Sequence, residues 1–155
     1  MILQIGDQAP DFSLPSTEGQ EISLSSLKGK KIALYFYPKD KTSGCTLEAD
    51  SFEELKKEFD ACDTIIVGMS PDSLKSHIAF KTAQNLSFHL VSDETKETLQ
   101  QYGVWVQKSM YGRQYMGVER STFLIGRDGK ILQIWRKVKV KGHAEEVLRR
   151  AQQEP

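Results

Sequence analysis

The sequence has few cysteines, no excess of either charge and no long apolar run. Two cysteines, Cys45 and Cys62, occur in 155 residues, which is too few to predict a disulfide-stabilised fold. Lys plus Arg and Asp plus Glu both number 21, so we expect no basic surface for nucleic acid. No apolar run reaches membrane-spanning length and the N-terminus does not resemble a leader, so we expect a cytoplasmic protein that makes no membrane contact.

The histidines are also few and scattered. His77, His89 and His143 lie far from one another in the sequence and far from both cysteines. They lack the close ligand spacing that is typical of zinc sites. We therefore predict no metal site.

Strand and helix patterns alternate along the chain. "KIALYFYP" is an almost continuous apolar run, as expected for a strand with helices on both faces of its sheet. "GCTLEADSFEELKKEFDA" then has apolar residues at helical spacing, which predicts one amphipathic helix. The pattern recurs as a strand "TIIVGMS", a helix in "SPDSLKSHIAFKTAQ" with Pro71 near its first turn, and a strand "FHLVSD".

Two hairpins and a final helix complete the pattern. "DFSLP" and "EISLSSL" flank a segment containing Gly19, which predicts an N-terminal hairpin. "RSTFLIGRDGKILQIWR" predicts a second hairpin with Asp128 and Gly129 in a two-residue turn, and residues 144–151 predict an amphipathic helix. We predict one α/β domain over residues 1–155, with a thioredoxin-like order of elements, a central mixed sheet and helices on both faces. A fold alone does not select a function.

Cys45 has an unusual position for a packing residue. The strand, loop and helix pattern places it in the first turn of a helix that starts near Gly44. Free amide groups and the helix dipole at that position favour the thiolate form of the side chain. Gly44 has no Cβ, so the loop can fold closely around the sulfur and a ligand can approach the backbone. We predict that Cys45 is a nucleophile, and packing under the sheet is the alternative.

Thr42 lies three residues before Cys45. A thioredoxin-type dithiol has its first cysteine at this position, so internal CxxC exchange is excluded here. The Thr42 hydroxyl can donate to a thiolate or to a bound oxygen, and helix capping is an equally good interpretation.

The segment "YFYPKDKTSGCTLEA" has Pro38, Thr42 and Cys45 in a P-x-x-x-T-x-x-C arrangement. It resembles the peroxiredoxins, and in particular the bacterioferritin comigratory protein or peroxiredoxin Q subfamily. The resemblance continues through "GDQAPDFSL", "GMSPDSLKSH", "LVSDE", "YGVW" and "RSTFLIGRDGKI", so it covers nearly the whole chain. It implies a thiol-dependent peroxidase.

The resemblance also implies roles for single residues. Cys45 corresponds to the peroxidatic cysteine, Thr42 and Arg120 to the residues that hold the peroxide, and Pro38 to the residue that shields the sulfur. Arg120 directly precedes the strand "STFLIG", and its guanidinium can stabilise a thiolate and polarise an O–O bond together. The expected product is a Cys45 sulfenic acid, formed without a metal or an organic cofactor.

The chain departs from the subfamily pattern at the resolving cysteine. Asp50 and the region of Lys81 occupy the two positions where relatives carry it. If the intervening segment is helical, Cys62 lies on the order of 25 Å from Cys45, whereas a disulfide needs Cα atoms within about 7 Å. We predict a one-cysteine cycle completed by thioredoxin, glutaredoxin or a small-molecule thiol, in a monomer or weak homodimer. A two-cysteine cycle that uses Cys62 after unfolding or between subunits is the alternative.

Glu48 and the segment around Trp105 and Tyr111 are not predicted to take part in the reaction. Glu48 is predicted to be a solvated acid in the first part of the helix, although it can also orient Arg120. "YGVWVQKSMYG", with Trp105 and Tyr111, is predicted to be a loop. The competing functions are monothiol exchange with disulfides or glutathione adducts, which needs no Arg120, and a non-catalytic domain, in which Cys45→Ser changes nothing.

Overall fold

The computed structural model describes residues 2–155 and contains a central five-stranded sheet. The strands are β1 Ser13–Pro15, β2 Glu21–Ser23, β3 Lys31–Phe36, β4 Thr64–Ser70, β5 His89–Ser92, β6 Trp105–Met110, β7 Arg113–Val118, β8 Ser121–Ile125 and β9 Ile131–Trp135. The helices are α1 Ser43–Glu54, α2 Lys56–Ala61, α3 Leu74–Gln84, α4 Glu97–Gln101 and α5 His143–Gln153. In this part of the chain, no helix has the length and apolar character needed to cross a membrane.

The central sheet is mixed and has the order β5-β4-β3-β8-β9. Strands β3, β4 and β5 are parallel to their neighbours in that series, while β8 runs antiparallel to both β3 and β9. Every residue of β3 is buried because the strand is central and both faces of the sheet are covered. The predicted mixed sheet is confirmed.

Two apolar cores lie on opposite faces of this sheet. One contains side chains from α1, α2, α3 and α5, including Phe52, Phe59, Phe80 and Val147. The other contains α4 and the N-terminal segment, including Phe12 and Leu99. The two parallel crossovers run from β3 to β4 and from β4 to β5, so both move toward the same edge of the sheet. Right-handed connections in the same direction place their helices, α1, α2 and α3, on the same face.

Both predicted hairpins form. Gly19, with φ of 87°, lies in the β1 to β2 connection. The β8 to β9 connection differs in detail from the prediction, because Gly129 N donates to Gly126 O and Gly126 N donates to Lys130 O. The turn therefore centres on residues 127–128, and Gly129 follows in the left-handed region with φ of 85°. This three-residue loop keeps the pairing that the predicted two-residue turn would have given at residues 122–124, but the register shifts at Ile125, which pairs with Ile131.

Two sequence predictions about elements are wrong. Residues 105–118 form the hairpin of β6 and β7 rather than a loop, and Tyr111 and Gly112 both have positive φ between the paired Met110 and Arg113. Two central residues with positive φ give the turn type that suits a tight hairpin. The predicted long helix is broken at Leu55. The helix predicted in "SPDSLKSHIAFKTAQ" forms as α3, which starts at Leu74 after a Ser73 cap, with Pro71 two residues before the cap.

Candidate active site

Cys45 lies where β3 passes into α1. Strand β3 ends at Phe36 and α1 begins at Ser43 with Thr42 at its N-cap, so Cys45 is the third residue of the helix. Its side chain is buried, and the residue is 2% exposed. The predicted position in the first turn is confirmed, with helix amides that lack intrahelical acceptors nearby.

Arg120 contacts the sulfur directly. Its Nη2 donates to Cys45 Sγ at 3.4 Å, and its Nη1 donates to Glu48 Oε1 at 2.6 Å. Strand pairing explains the contact, because Ser121 of β8 is the partner of Phe36 at the end of β3. The residue before β8 therefore reaches the start of the Cys45 loop, although 75 positions separate the two side chains in sequence.

Glu48 is buried, at 1% exposure, and forms an ion pair with Arg120. Burial raises its pKa to about 7, even though Arg120 opposes that rise. Within residues 2–155 its Oε2 has no hydrogen-bond partner. The prediction that Glu48 is solvated is wrong, and the alternative that it orients Arg120 matches the contact. Its spacing of three residues from Cys45, which places both on one helix face, is the sequence signal for this role.

The guanidinium is partly shielded from solvent. Burial disfavours its charge, but the charges of Glu48 and Cys45 and their hydrogen bonds raise the pKa of Arg120 above its usual value. Lys108 on β6 is close enough to be affected, since burial and the charge of Arg120 lower the pKa of its amine. The unpredicted hairpin therefore borders this site.

Gly44 provides the space for Arg120. A Cβ built on Gly44 would lie 3.3 Å from Arg120 Nη2, which is tighter than most real contacts. The expected close approach to this glycine is therefore made by the guanidinium. Ligand binding at Gly44 stays a prediction.

Thr42 and Pro38 lie at the two ends of the loop before the helix. The Thr42 hydroxyl donates to the Lys39 carbonyl at 3.0 Å and makes no side-chain cap on α1. Pro38 is the second residue after β3 and is half-buried. Peroxide binding by Thr42 and shielding by Pro38 stay predictions.

Cys62 lies at the other end of the sheet from Cys45. It follows α2 and is half-buried, with its Sγ 3.4 Å from both Phe59 O and Thr64 Oγ1. Thr64 pairs with Lys31, the first residue of β3, whereas Cys45 lies beyond the last residue of that strand. A strand of this length spans about 16 Å, well beyond the reach of about 7 Å that a disulfide allows.

One group in the described part of the chain has the spacing of metal ligands. Ligand atoms of Asp40, Asp72 and His77 all lie within 4.8 Å of one another. Both nitrogens of His77 and both oxygens of Asp40 already have protein hydrogen-bond partners. We therefore assign no metal to the group.

Comparisons with known proteins identify the family of this chain. The AhpC/TSA family matches residues 5–134. Peroxiredoxin Bcp of Bacillus subtilis is 47% identical over 148 residues, which cover 96% of this chain and 94% of the relative.

Two solved structures from Xanthomonas campestris are also similar. Peroxiredoxin Q is 41% identical with a TM-score of 0.91, covering 99% of this chain and 97% of its own. A bacterioferritin comigratory protein with alkyl peroxide reduction activity is 41% identical with a TM-score of 0.90, covering 98% and 97%. These matches confirm the thioredoxin-like fold. The chain belongs to the AhpC/TSA family and is a thiol-dependent peroxidase of the bacterioferritin comigratory protein, or peroxiredoxin Q, type.

Proposed function

We propose that Cys45 is the peroxidatic residue and that an external thiol completes the cycle. The contact of 3.4 Å between Arg120 Nη2 and Cys45 Sγ is the observation that carries the proposal. A guanidinium held there donates to the sulfur and lies within reach of a peroxide oxygen that approaches it. The alkyl peroxide reduction activity of the Xanthomonas campestris relative supports a hydroperoxide, ROOH, as substrate.

The oxidative step is an in-line displacement. The Cys45 thiolate attacks the terminal oxygen, a new S–O bond forms as the O–O bond breaks, and the RO⁻ that leaves takes a proton to become ROH. Arg120 and the first amides of α1 stabilise the charge that develops on the leaving oxygen. This stabilisation supplies most of the rate, because a more acidic thiol is also intrinsically less nucleophilic.

Thr42 binds the other side of the peroxide in this proposal. Its hydroxyl proton already points to the Lys39 carbonyl, so the hydroxyl oxygen keeps lone pairs that can accept the peroxide O–H. Pro38, at the other end of the same loop, shields the sulfur from water. Gly44 leaves the helix amides accessible to the bound peroxide.

An external thiol resolves the sulfenic acid. It forms a disulfide with Cys45 and releases water, and a second thiol then restores Cys45. The separation of Cys62 from Cys45 along the sheet supports this one-cysteine cycle. Thioredoxin, glutaredoxin and small-molecule thiols, which a reducing cytoplasm provides, are the proposed reductants of the monomer or weak homodimer.

Stopped-flow consumption of peroxide and intact-mass spectrometry test the proposal. Reduced wild-type protein and Cys62→Ser should consume one equivalent of peroxide rapidly and gain one oxygen, while Cys45→Ser should do neither. Each reductant is then added separately to find which restores the thiol. Loss of two hydrogens from the oxidised monomer, absent in Cys62→Ser, would contradict the one-cysteine cycle.

A further inference from the structure

The loop between β3 and α1 is attached to the protein through one buried side chain. Of residues 38–44, only Asp40 is buried, at 5% exposure, while Lys39, Lys41 and Thr42 are exposed. Lys41 has a backbone φ of 69°, in the left-handed region that residues other than glycine and asparagine rarely adopt. The loop that carries Pro38 and Thr42 therefore depends on the contacts of Asp40.

Asp40 is held by several donors. Its Oδ1 accepts from Tyr37 Oη at 2.6 Å, and its Oδ2 accepts from Ser76 Oγ and His77 Nδ1, each at 2.8 Å. Its backbone N–H donates to Asp72 Oδ2 at 2.8 Å. Burial works against the charge of Asp40, but the hydrogen bonds and charge of His77, with those of Tyr37 and Ser76, lower its pKa. Asp40 is therefore a carboxylate.

His77 links Asp40 to the central sheet. Its side chain is 0% exposed, its Nδ1 faces the Asp40 carboxylate, and its Nε2 lies 3.0 Å from the Val91 carbonyl oxygen. The Asp40 carboxylate only accepts hydrogen bonds, so Nδ1 of the ring is the donor in this contact. The result is a buried hydrogen-bonded contact that joins the active-site loop to the first turn of α3 and, through Val91, to β5.

We propose that Asp40 and His77 are positioning residues that hold the active-site loop closed and set how often Cys45 is exposed to an external thiol. The inference rests on the proposed function, because only an external reductant requires the exposure. Cys45 is 2% exposed, and a sulfur atom on another molecule must come within about 2.05 Å to form the mixed disulfide. A peroxide is small enough to react in the closed loop, whereas the reductant needs the loop to open.

The experiment compares His77→Gln and Ser76→Ala with His89→Gln as the matched control. His89 also pairs with a carboxylate, its Nδ1 lying 2.8 Å from Glu18 Oε1, but the pair is partly exposed and on another part of the fold. Each reduced protein is treated with a bulky maleimide, and modification of Cys45 and Cys62 is followed separately by peptide mass spectrometry. Cys62, at the far end of the sheet, reports global unfolding.

We expect Cys45 to react about tenfold faster in His77→Gln, as the loss of one charge-assisted hydrogen bond to the loop implies. Ser76→Ala should give a smaller increase and remains informative if His77→Gln does not fold. Cys62 should react at the wild-type rate in both variants, and His89→Gln should match wild type at both cysteines. An unchanged Cys45 rate in Ser76→Ala and His77→Gln, or an equal rise at Cys45 and Cys62, would overturn the proposal.

The two half-reactions provide a readout that a purely structural role would not give. In His77→Gln, oxidation of Cys45 by peroxide should slow because the loop is less often closed, and reduction of the sulfenic acid by thioredoxin should become faster. Slowing of both steps would contradict the proposal. If wild-type Cys45 forms no sulfenic acid, the proposed function fails, while the maleimide rates still test the loop contact by themselves.

Discussion

Arg120 donates hydrogen bonds to two side chains at once, because its guanidinium is a planar fork of N–H donors. One terminal nitrogen donates to Glu48 and the other to Cys45, so the carboxylate fixes the plane in which the second nitrogen meets the sulfur. A lysine ammonium is a compact charge on a flexible stem and cannot hold both partners in one fixed plane. The orientation of the charge, as well as the charge itself, should therefore matter for the reaction.

Arg120→Lys tests that orientation. We expect the rate of peroxide consumption to fall about 100-fold or more, in the range that follows loss of one donor to a developing negative charge. Arg127→Lys is the matched control, because Arg127 pairs with Asp63 at the surface. Stopped-flow fluorescence measures both rates. A monothiol exchange protein would instead lose little activity in Arg120→Lys, so a wild-type peroxide rate in this variant would count against the peroxidase mechanism.

Glu48→Gln tests the buried carboxyl through the pH dependence of stability. The pKa of Glu48 is raised from its usual 4.5 to about 7 by burial. Between these values the unfolded chain loses a proton that the folded protein keeps, so Glu48 makes the free energy of unfolding fall as pH rises. The shift corresponds to a loss on the order of 3 kcal/mol, complete above pH 7, and a glutamine at this position has no such loss.

Urea unfolding at intervals from pH 4.5 to 8 measures this difference. The stability of Glu48→Gln relative to wild type should increase with pH across that window. Glu54→Gln, an exposed position on the same helix, should follow wild type throughout. Parallel curves for wild type and Glu48→Gln would show that the carboxyl is not perturbed by burial.

At the scale of elements, the site depends on how closely β3 and β4 pack. Gly68 in β4 pairs with Tyr35 in β3, and Tyr35 stacks on Phe52 of α1 with ring centroids 4.7 Å apart. The helix that presents Cys45 therefore rests on a ring whose position is set by the neighbouring strand. Without a side chain at position 68, the ring has room to lie against the sheet.

Gly68→Ala should destabilise the protein. The new Cβ would lie 2.9 Å from both Tyr35 Cζ and Leu90 Cδ2, and relieving such overpacking typically costs about 1–3 kcal/mol. Gly117→Ala is the control, since its Cβ would meet the flexible Lys108 Cδ at 3.3 Å, which can move away. Urea midpoints measure both effects, and equal midpoints for the two variants would show that the β3 to β4 contact can relax.

At the scale of the molecule, both apolar cores share one sheet, with β3 contributing to each face. We therefore propose that the chain unfolds as one domain. Calorimetry should show one transition whose calorimetric and van't Hoff enthalpies agree. For 155 residues, an enthalpy on the order of 110 kcal/mol near 60 °C is expected. Two resolved transitions would contradict a single domain. A transition temperature that rises with protein concentration would indicate a stable dimer rather than a monomer or weak dimer.

The amino-acid sequence by itself determined the local features of this protein. Continuous apolar runs specify buried strands, and the polar segment after β3 specifies a helix start just before Cys45, because these signals depend on residues within a few positions of each other. The hairpin of β6 and β7 was missed since Tyr111 and Gly112 form a less obvious turn signal than Asp128 and Gly129.

Only the tertiary structure decided which distant side chains meet. In the sequence, Glu48 looks like an ordinary solvated acid. In the structure it is buried against Arg120, 72 residues away, because the pairing of β3 with β8 brings the two residues together. The same holds for the contact of Asp40 with His77, 37 residues away. Sheet order and register set such contacts, and they result from packing the whole chain rather than from any local pattern.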